Sequence, residues 1–201
     1  MAKETLKDKA YQIIKGKILN CSYAPNTFIN ESIIQMDVSA SRTPIREALN
    51  RLEQENLLKI LPKKGVLISD LSINEINKVY ETRMLVEPYI IRMYGSLLDL
   101  SKLDFFRQVF SGEKVIPEQI HATKIDDEFH FTICAPCQNE YLLQLLRNIN
   151  MQNHRIRILS GYSSSRIQQS CIEHMKIIDA LWDQDSCMSI YRSPRMLHSL
   201  C

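Results

Sequence analysis

The chain has 201 residues, 45% of them hydrophobic and 24% charged, with only 5 Gly and 7 Pro, a composition that excludes a disordered, collagen-like or low-complexity chain. No run of about 18 apolar residues is present, which excludes a membrane-spanning helix, and the lysine-bearing start Met1–Asp8 has no apolar stretch behind it, which argues against a secretory signal. The net charge of +2 is unevenly spread: residues 1–74 hold 11 Lys+Arg against 8 Asp+Glu, and residues 75–201 hold 14 against 15, a basic front piece on a near-neutral body, as expected of a nucleic-acid module on a separate platform.

Leu6, Ala10, Ile13, Ile14 and Ile18 recur at helical spacing and predict an amphipathic helix from Lys3 to Leu19. A second short helix is expected from Asn30 to Met36, with Asn30 as its N-cap and Ile33 and Ile34 facing inward. Asp37-Val38-Ser39 reads as a turn. A third helix is expected from Ser41 to Glu55, with Pro44 in its first turn, where a missing N–H costs nothing. Its apolar stripe is Ile45, Ala48, Leu49 and Leu52. Its other edge carries Arg42, Thr43, Arg46 and Asn50 behind Ser41. Arginine forks onto guanine or phosphate, and a hydroxyl at a helix N-terminus holds phosphate, so this edge suits a helix docked in the DNA major groove. The plain alternative is a solvated charged face; the short helix and tight turn directly before it weigh against that.

Leu57–Leu61 and Val66–Ser69 are apolar runs flanking Pro62-Lys63-Lys64-Gly65, a β-hairpin signal. A hairpin with Lys63 and Lys64 at its tip, following a helix-turn-helix, is a wing that can lie on the DNA backbone. Gly65 is expected to allow a close backbone approach. Ser39 to Ser69 (SASRTPIREALNRLEQENLLKILPKKGVLIS) resembles the winged helix of the GntR family of bacterial transcription regulators, and the likeness extends over Leu6 to Asp70. The resemblance implies groove contacts from Arg42, Thr43 and Arg46 and a wing tip at Lys64 and Gly65. Where the family often has Pro-Gly, this chain has Pro25-Asn26, and Asn tolerates the left-handed turn.

Past Asp70 no alternating strand pattern occurs. Helices are expected at Ile73–Tyr94, Leu100–Ser111, Glu118–Ala135, Glu140–Gly161, Ser163–Asp183 and Ser186–Tyr191. The fold class is therefore mainly α: a winged helix-turn-helix domain over residues 1–72 and an all-α helical bundle over residues 73–201; the family resemblance implies that the bundle serves effector binding and dimerisation, with an altered or shortened C-terminus.

Asp126 and His130 lie four residues apart on one helix face, with His174 and His198 on later segments. Oxygen and imidazole donors suit a divalent transition metal, Zn²⁺, Ni²⁺ or Mn²⁺; the plain alternative is a half-buried polar face. The stretch Asp126–His130, Asn139 and Glu173–Leu181 is similar to the C-terminal ligand (FCD-type) domain of the FadR subfamily of GntR regulators. Its metal-binding members use an Asp, the His four residues later, and two further His. That implies ligands at Asp126, His130 and His174. The usual fourth position is Met196 here; the nearest histidine, His198, is half a turn away and would point elsewhere on an unbroken helix, unless a break at Ser193-Pro194 changes the register. The stretch Tyr80–Glu87 matches the opening helix of that domain, whose arginine often faces the pocket. Arg83 is thereby the implied anchor for an effector carboxylate.

The six cysteines read as free thiols. Cys134 and Cys137 lack the second pair a zinc or redox motif needs, His121 and His154 read as structural, and Arg147, Arg155 and Arg157 as a charged face or, alternatively, as the border of the pocket. Trp182 reads as a core or dimer contact. The expected protein is a cytoplasmic homodimer, not an enzyme. It binds a palindromic double-stranded DNA operator, represses transcription, and answers to a small organic acid; no membrane is involved. Two alternatives are a regulator that has lost sensing through its altered tail, and a metal-dependent hydrolase. The hydrolase lacks any H-E-x-x-H, nucleophile elbow or phosphate loop.

Overall fold

The structure, a computed structural model, describes residues 5–114, 122–161 and 164–183. The chain forms two compact units: the residues up to Lys78 with Met151–Leu159, and Val79–Asn150 with the residues from Ser160 on. Among the described residues no helix is long and apolar enough to cross a membrane.

In the first unit, α1 runs over Leu6–Leu19. Thr5 and Asp8 form a reciprocal cap, the Thr5 hydroxyl accepting from the Asp8 N–H and the Asp8 carboxylate from the Thr5 N–H. That cap starts the helix at Leu6 rather than at the expected Lys3, and it leaves Leu6 exposed while Ala10, Ile14 and Ile18 enter the core. α2 spans Glu31–Val38 and ends on Ser39 in the left-handed conformation, φ 53°. It extends through Val38, which sequence reading had assigned to the turn, because Val38 and Ile34 share the buried face; Ile33 is turned to solvent. Asn30 holds the N-cap position, but its side chain makes no capping bond. Asn26 takes the left-handed turn, φ 56°.

α3 covers Arg42–Gln54 and buries Ile45, Ala48, Leu49 and Leu52. This i, i+3, i+4, i+7 stripe closes the core against α1. The wing follows as β2 (Leu58–Leu61) and β3 (Gly65–Ile68), paired antiparallel with Leu61 opposite Gly65. Sequence reading missed a third strand, β1 (Phe28–Ile29), which pairs with β3 so that the order is β1-β3-β2. Two residues are too short to show a period. The strand also accounts for Gly65: a Cβ there would sit 2.8 Å from the Ile29 carbonyl oxygen, and φ is +99°. Close backbone approach is required at Gly65 by the neighbouring strand.

The second unit is helical: α4 (Ile73–Tyr94), α5 (Asp104–Phe110), α6 (Ala122–Cys134), α7 (Glu140–Ser160) and α8 (Ser164–Trp182). α4 and α7 each contribute residues to both units. The expected helix Leu100–Ser111 is divided: Leu100–Leu103 is a 3-10 turn, and α5 begins after it. Asp99 accepts from the Ser101 N–H at 3.1 Å and sets the tighter start. Asn139 caps α7, and Gly161, φ 64°, closes it. The expected helix Ser186–Tyr191 and the residues His121 and His198 lie outside the described residues. Ile90, Leu103, Phe129 and Ile178 anchor an apolar core. Phe106, Phe110 and Phe129 pack edge-on or stacked with centroids 5.3–6.1 Å apart.

Candidate nucleic-acid interface and metal centre

The first site lies on the exposed side of α3. Ser41, Arg42, Thr43, Arg46 and Asn50 are all exposed, because the buried stripe takes the opposite face. Ser41 occupies the N-cap position without a side-chain capping bond. Between α3 and the wing runs an open cleft of about 540 Å³, lined by Arg46 and Asn50 on one side and by Lys63, Lys64 and Gly65 on the other. Lys63 itself takes a positive φ of 64° at the tip. Three cations thus border one cleft, while Arg42 and Thr43 stand at the helix start. Glu31 of α2 was not anticipated there: its carboxylate lies 3.4 Å from the Arg46 guanidinium. Both groups are substantially exposed, so the pair contributes little stability, and both line the cleft.

The second site is inside the second unit. Asp126 and His130 from α6 meet His174 from α8, and all three are buried. His130 Nε2 is 3.2 Å from His174 Nε2, His174 Nε2 is 3.2 Å from Asp126 Oδ1, and His130 Nε2 is 3.8 Å from Asp126 Oδ2. Bonds of about 2.1 Å to one metal ion would hold tetrahedral or octahedral donors roughly 3.0–3.4 Å apart, so these atoms stand close to the separations a metal imposes. Ser170 donates to Asp126 at 3.3 Å. The His174 ring lies 4.7 Å, centroid to centroid, from both Phe110 and Phe129, which wall the site with apolar surface.

Arg83 and Glu87 belong to this site through α4. Both are almost wholly buried, and Arg83 Nε donates to Glu87 Oε1 at 2.6 Å. The other carboxylate oxygen lies 3.1 Å from His130 Nδ1. Burial by itself would raise the Glu87 pKa; the Arg83 guanidinium and His130 overcome it and hold the carboxyl down at about 2. Burial likewise works to lower the pKa of Arg83, and the carboxylates of Glu87 and Asp126 outweigh it and raise it. Sequence reading singled out Arg83 and passed over Glu87. The available signals were the i, i+4 spacing to Arg83 and the position of Glu87 on the apolar face with Val86 and Ile90.

With both imidazoles neutral, Arg83, Glu87 and Asp126 together carry a net charge of −1 in a buried place. Such a charge is costly without a cation. The donor set therefore fits a divalent metal on charge as well as on spacing. Cys134 does not join the three donors; burial pushes its thiol well up, and it remains a buried free thiol, as does Cys137. The expected charged face on α7 needs correction. Arg147 is exposed, but Arg155 and Arg157 are buried. Within the first unit Arg155 donates to the Gln152 side chain and to the Ser69 carbonyl, each at 2.6 Å. These polar partners let it be buried. Trp182 is partly exposed beside the Arg107 guanidinium, 5.2 Å from its ring.

A helix-turn-helix with a basic wing and a helical unit with a buried Asp-His-His cluster together match known protein families. Residues 6–68 match the profile of the bacterial regulatory proteins of the gntR family, and residues 78–188 match the FCD domain. The chain belongs to the GntR family of transcriptional regulators, in the group with an FCD domain. It is 31% identical over 172 residues to the Nta operon transcriptional regulator of Aminobacter aminovorans, covering 82% of this chain and 79% of that one. It is 24% identical over 187 residues to the HTH-type transcriptional repressor RspR of Escherichia coli, covering 90% and 81%. The solved structure of E. coli McbR/YncC shares the fold with a TM-score of 0.73 at 14% identity, over 98% of this chain and 93% of that one. The GntR regulator assigned here thus combines a DNA-binding winged helix with a helical FCD domain.

Proposed function

We propose that this regulator is a metabolite-controlled repressor. Residues 1–72 read a two-fold operator, and residues 73–201 bind a metal ion and a small organic acid. The observation that carries the reading is the placement of charge: exposed cations border an open cleft on the first unit, while the second buries an Asp-His-His cluster with net negative charge. The first arrangement suits a polyanion, with Arg42, Arg46 and Asn50 aimed at bases and Ser41, Thr43, Lys63 and Lys64 at phosphates. The second suits Zn²⁺, Ni²⁺ or Mn²⁺ held by Asp126, His130 and His174, with His198 the implied fourth ligand.

A divalent ion turns the local charge from −1 to +1, which favours a carboxylate ligand over a neutral or cationic one. When bound, the metal supplies a Lewis-acidic anchor for that carboxylate. Arg83 contributes long-range attraction, offset by its pairing with Glu87. Effector control requires that the ligand bind the DNA-competent and incompetent states with different affinity. A homodimer supplies the two-fold symmetry. Leu85, Tyr89 and Met93, one turn apart on α4 and exposed, are the apolar stripe that supports it. A repressor acting directly on DNA is expected to reside in the cytoplasm.

Selection of bound duplexes from a random DNA pool tests the first half of this reading. An enriched sequence with two-fold symmetry is expected, and no enrichment overturns it. Elemental analysis and a thermal melt with and without chelator test the second. A near-stoichiometric transition metal whose removal lowers the Tm is expected; a metal-free chain indifferent to chelator overturns it. A panel of small carboxylates then releases the selected duplex from the metal-loaded protein, and a panel without effect removes the organic-acid assignment.

A further inference from the structure

The Glu87 carboxylate reaches two donors at once. Oε1 accepts from Arg83 Nε at 2.6 Å, and Oε2 lies 3.1 Å from His130 Nδ1. Among the described residues neither Oε2 nor Nδ1 makes any other hydrogen bond, and both residues are about 1% exposed, so each atom must satisfy the other. An ionised carboxylate only accepts, so the imidazole nitrogen facing it must carry the proton. The other nitrogen, Nε2, then presents its lone pair to the point where Asp126 and His174 converge.

We propose that Glu87 is a positioning residue: held by Arg83, it fixes His130 as the Nδ1–H tautomer and thereby makes Nε2 a metal donor. This rests on the reading of Asp126, His130 and His174 as ligands, yet it makes a claim about the metal-free chain as well. A carboxylate behind a ligating histidine both orients the ring and raises its basicity.

Replacing Glu87 by the isosteric Gln discriminates this role from simple packing. Glutamine offers one acceptor and one NH₂. Arg83 cannot accept, so the amide oxygen must face it, and the NH₂ then faces Nδ1. Nδ1 becomes an acceptor, and the His130 proton moves to Nε2, which blocks the donor. The opposite amide orientation sets NH₂ against guanidinium, donor against donor.

The experiment uses the full chain, ¹⁵N-labelled and freed of metal with chelator, at a pH where imidazole is neutral. Long-range ¹⁵N–¹H spectra read the tautomer of His130, assigned by its disappearance in His130→Gln. Nδ1–H is expected in the wild type and Nε2–H in Glu87→Gln, with Glu87→Asp, still acceptor-only, returning Nδ1–H. Calorimetric titration with Zn²⁺ is expected to show binding about 10–100-fold weaker in Glu87→Gln and partly restored in Glu87→Asp. An Nε2–H tautomer in the wild type overturns the proposal, and that measurement needs no variant to fold. An unchanged tautomer in a folded Glu87→Gln also overturns it. A wild type that shows Nδ1–H but binds no Zn²⁺ sustains the positioning role and defeats the metal reading, so the two fail separately.

Discussion

The two units of this regulator keep the charge of their candidate sites in opposite places. The first builds its core from Ile14, Ile18, Ile45, Leu49, Leu52 and Val66, without an ionised group among them, and turns the arginines and lysines of α3 and the wing outward, while Arg155 and Arg157 of its α7 stretch are buried. The second carries Arg83, Glu87, Asp126, His130 and His174 inside, against Phe110 and Phe129. A surface site meets a large polyanion through water and counterions, so each contact is modest and salt-sensitive. A buried site meets a small ion or ligand in low dielectric, where each charge counts heavily and must be balanced. The consequence is a difference in tolerance: surface substitutions in the first unit alter binding and spare folding, while substitutions in the buried cluster alter both.

The strongest way to break this contrast is His130→Ala, which should abolish stoichiometric metal, read by elemental analysis; full occupancy would remove the buried site. Next is Arg83→Ala. It leaves the Glu87 carboxylate buried beside an imidazole with no cation, and should destabilise the protein by about 3–5 kcal/mol in urea unfolding; a loss below about 1 kcal/mol would mean the pair is not dry. Arg46→Ala should cost about 1–3 kcal/mol in binding to the selected duplex without changing the Tm, and unchanged affinity would end its assignment as a base-reading residue. Acid sharpens the contrast further. The Glu87 pKa is lowered, so its contribution to stability is complete above its ordinary value near 4.5 and is lost as the pH falls towards about 2. The stability gap between wild type and Glu87→Gln should therefore narrow over that window in thermal melts, and a constant gap would show that Glu87 is not ionised in the fold. The smallest effect is expected of Lys64→Ala, which should weaken all duplexes alike and reduce the salt slope by about 1; a change confined to one sequence would show base reading by the wing.

The apolar stripe Ile45, Ala48, Leu49, Leu52 was legible because an exposed-to-buried gradient on one helix leaves a period in the sequence. The hairpin was legible because Pro-Lys-Lys-Gly interrupts two apolar runs. β1 was not, since a two-residue strand exists only through its pairing with β3. Ile33 was read as inward and lies outward because α2 offers its Ile34 and Val38 side to the core. The burial of Arg155 was also hidden: its partners are Gln152, one turn away on the same helix, and the distant Ser69 carbonyl, and only the latter explains why the guanidinium lies inside.

The sequence by itself determined the family, the order of the described helices and the wing hairpin, since these depend on local period, turn chemistry and motif spacing. Tertiary structure alone decided which charges face each other. Asp126 and His174 are 3.2 Å apart across two helices, and Glu87 reaches His130 from a third. Spacing along a chain specifies a helix face, but the partner on the neighbouring helix depends on how the helices pack, and that packing converts three scattered side chains and one overlooked glutamate into a single buried cluster.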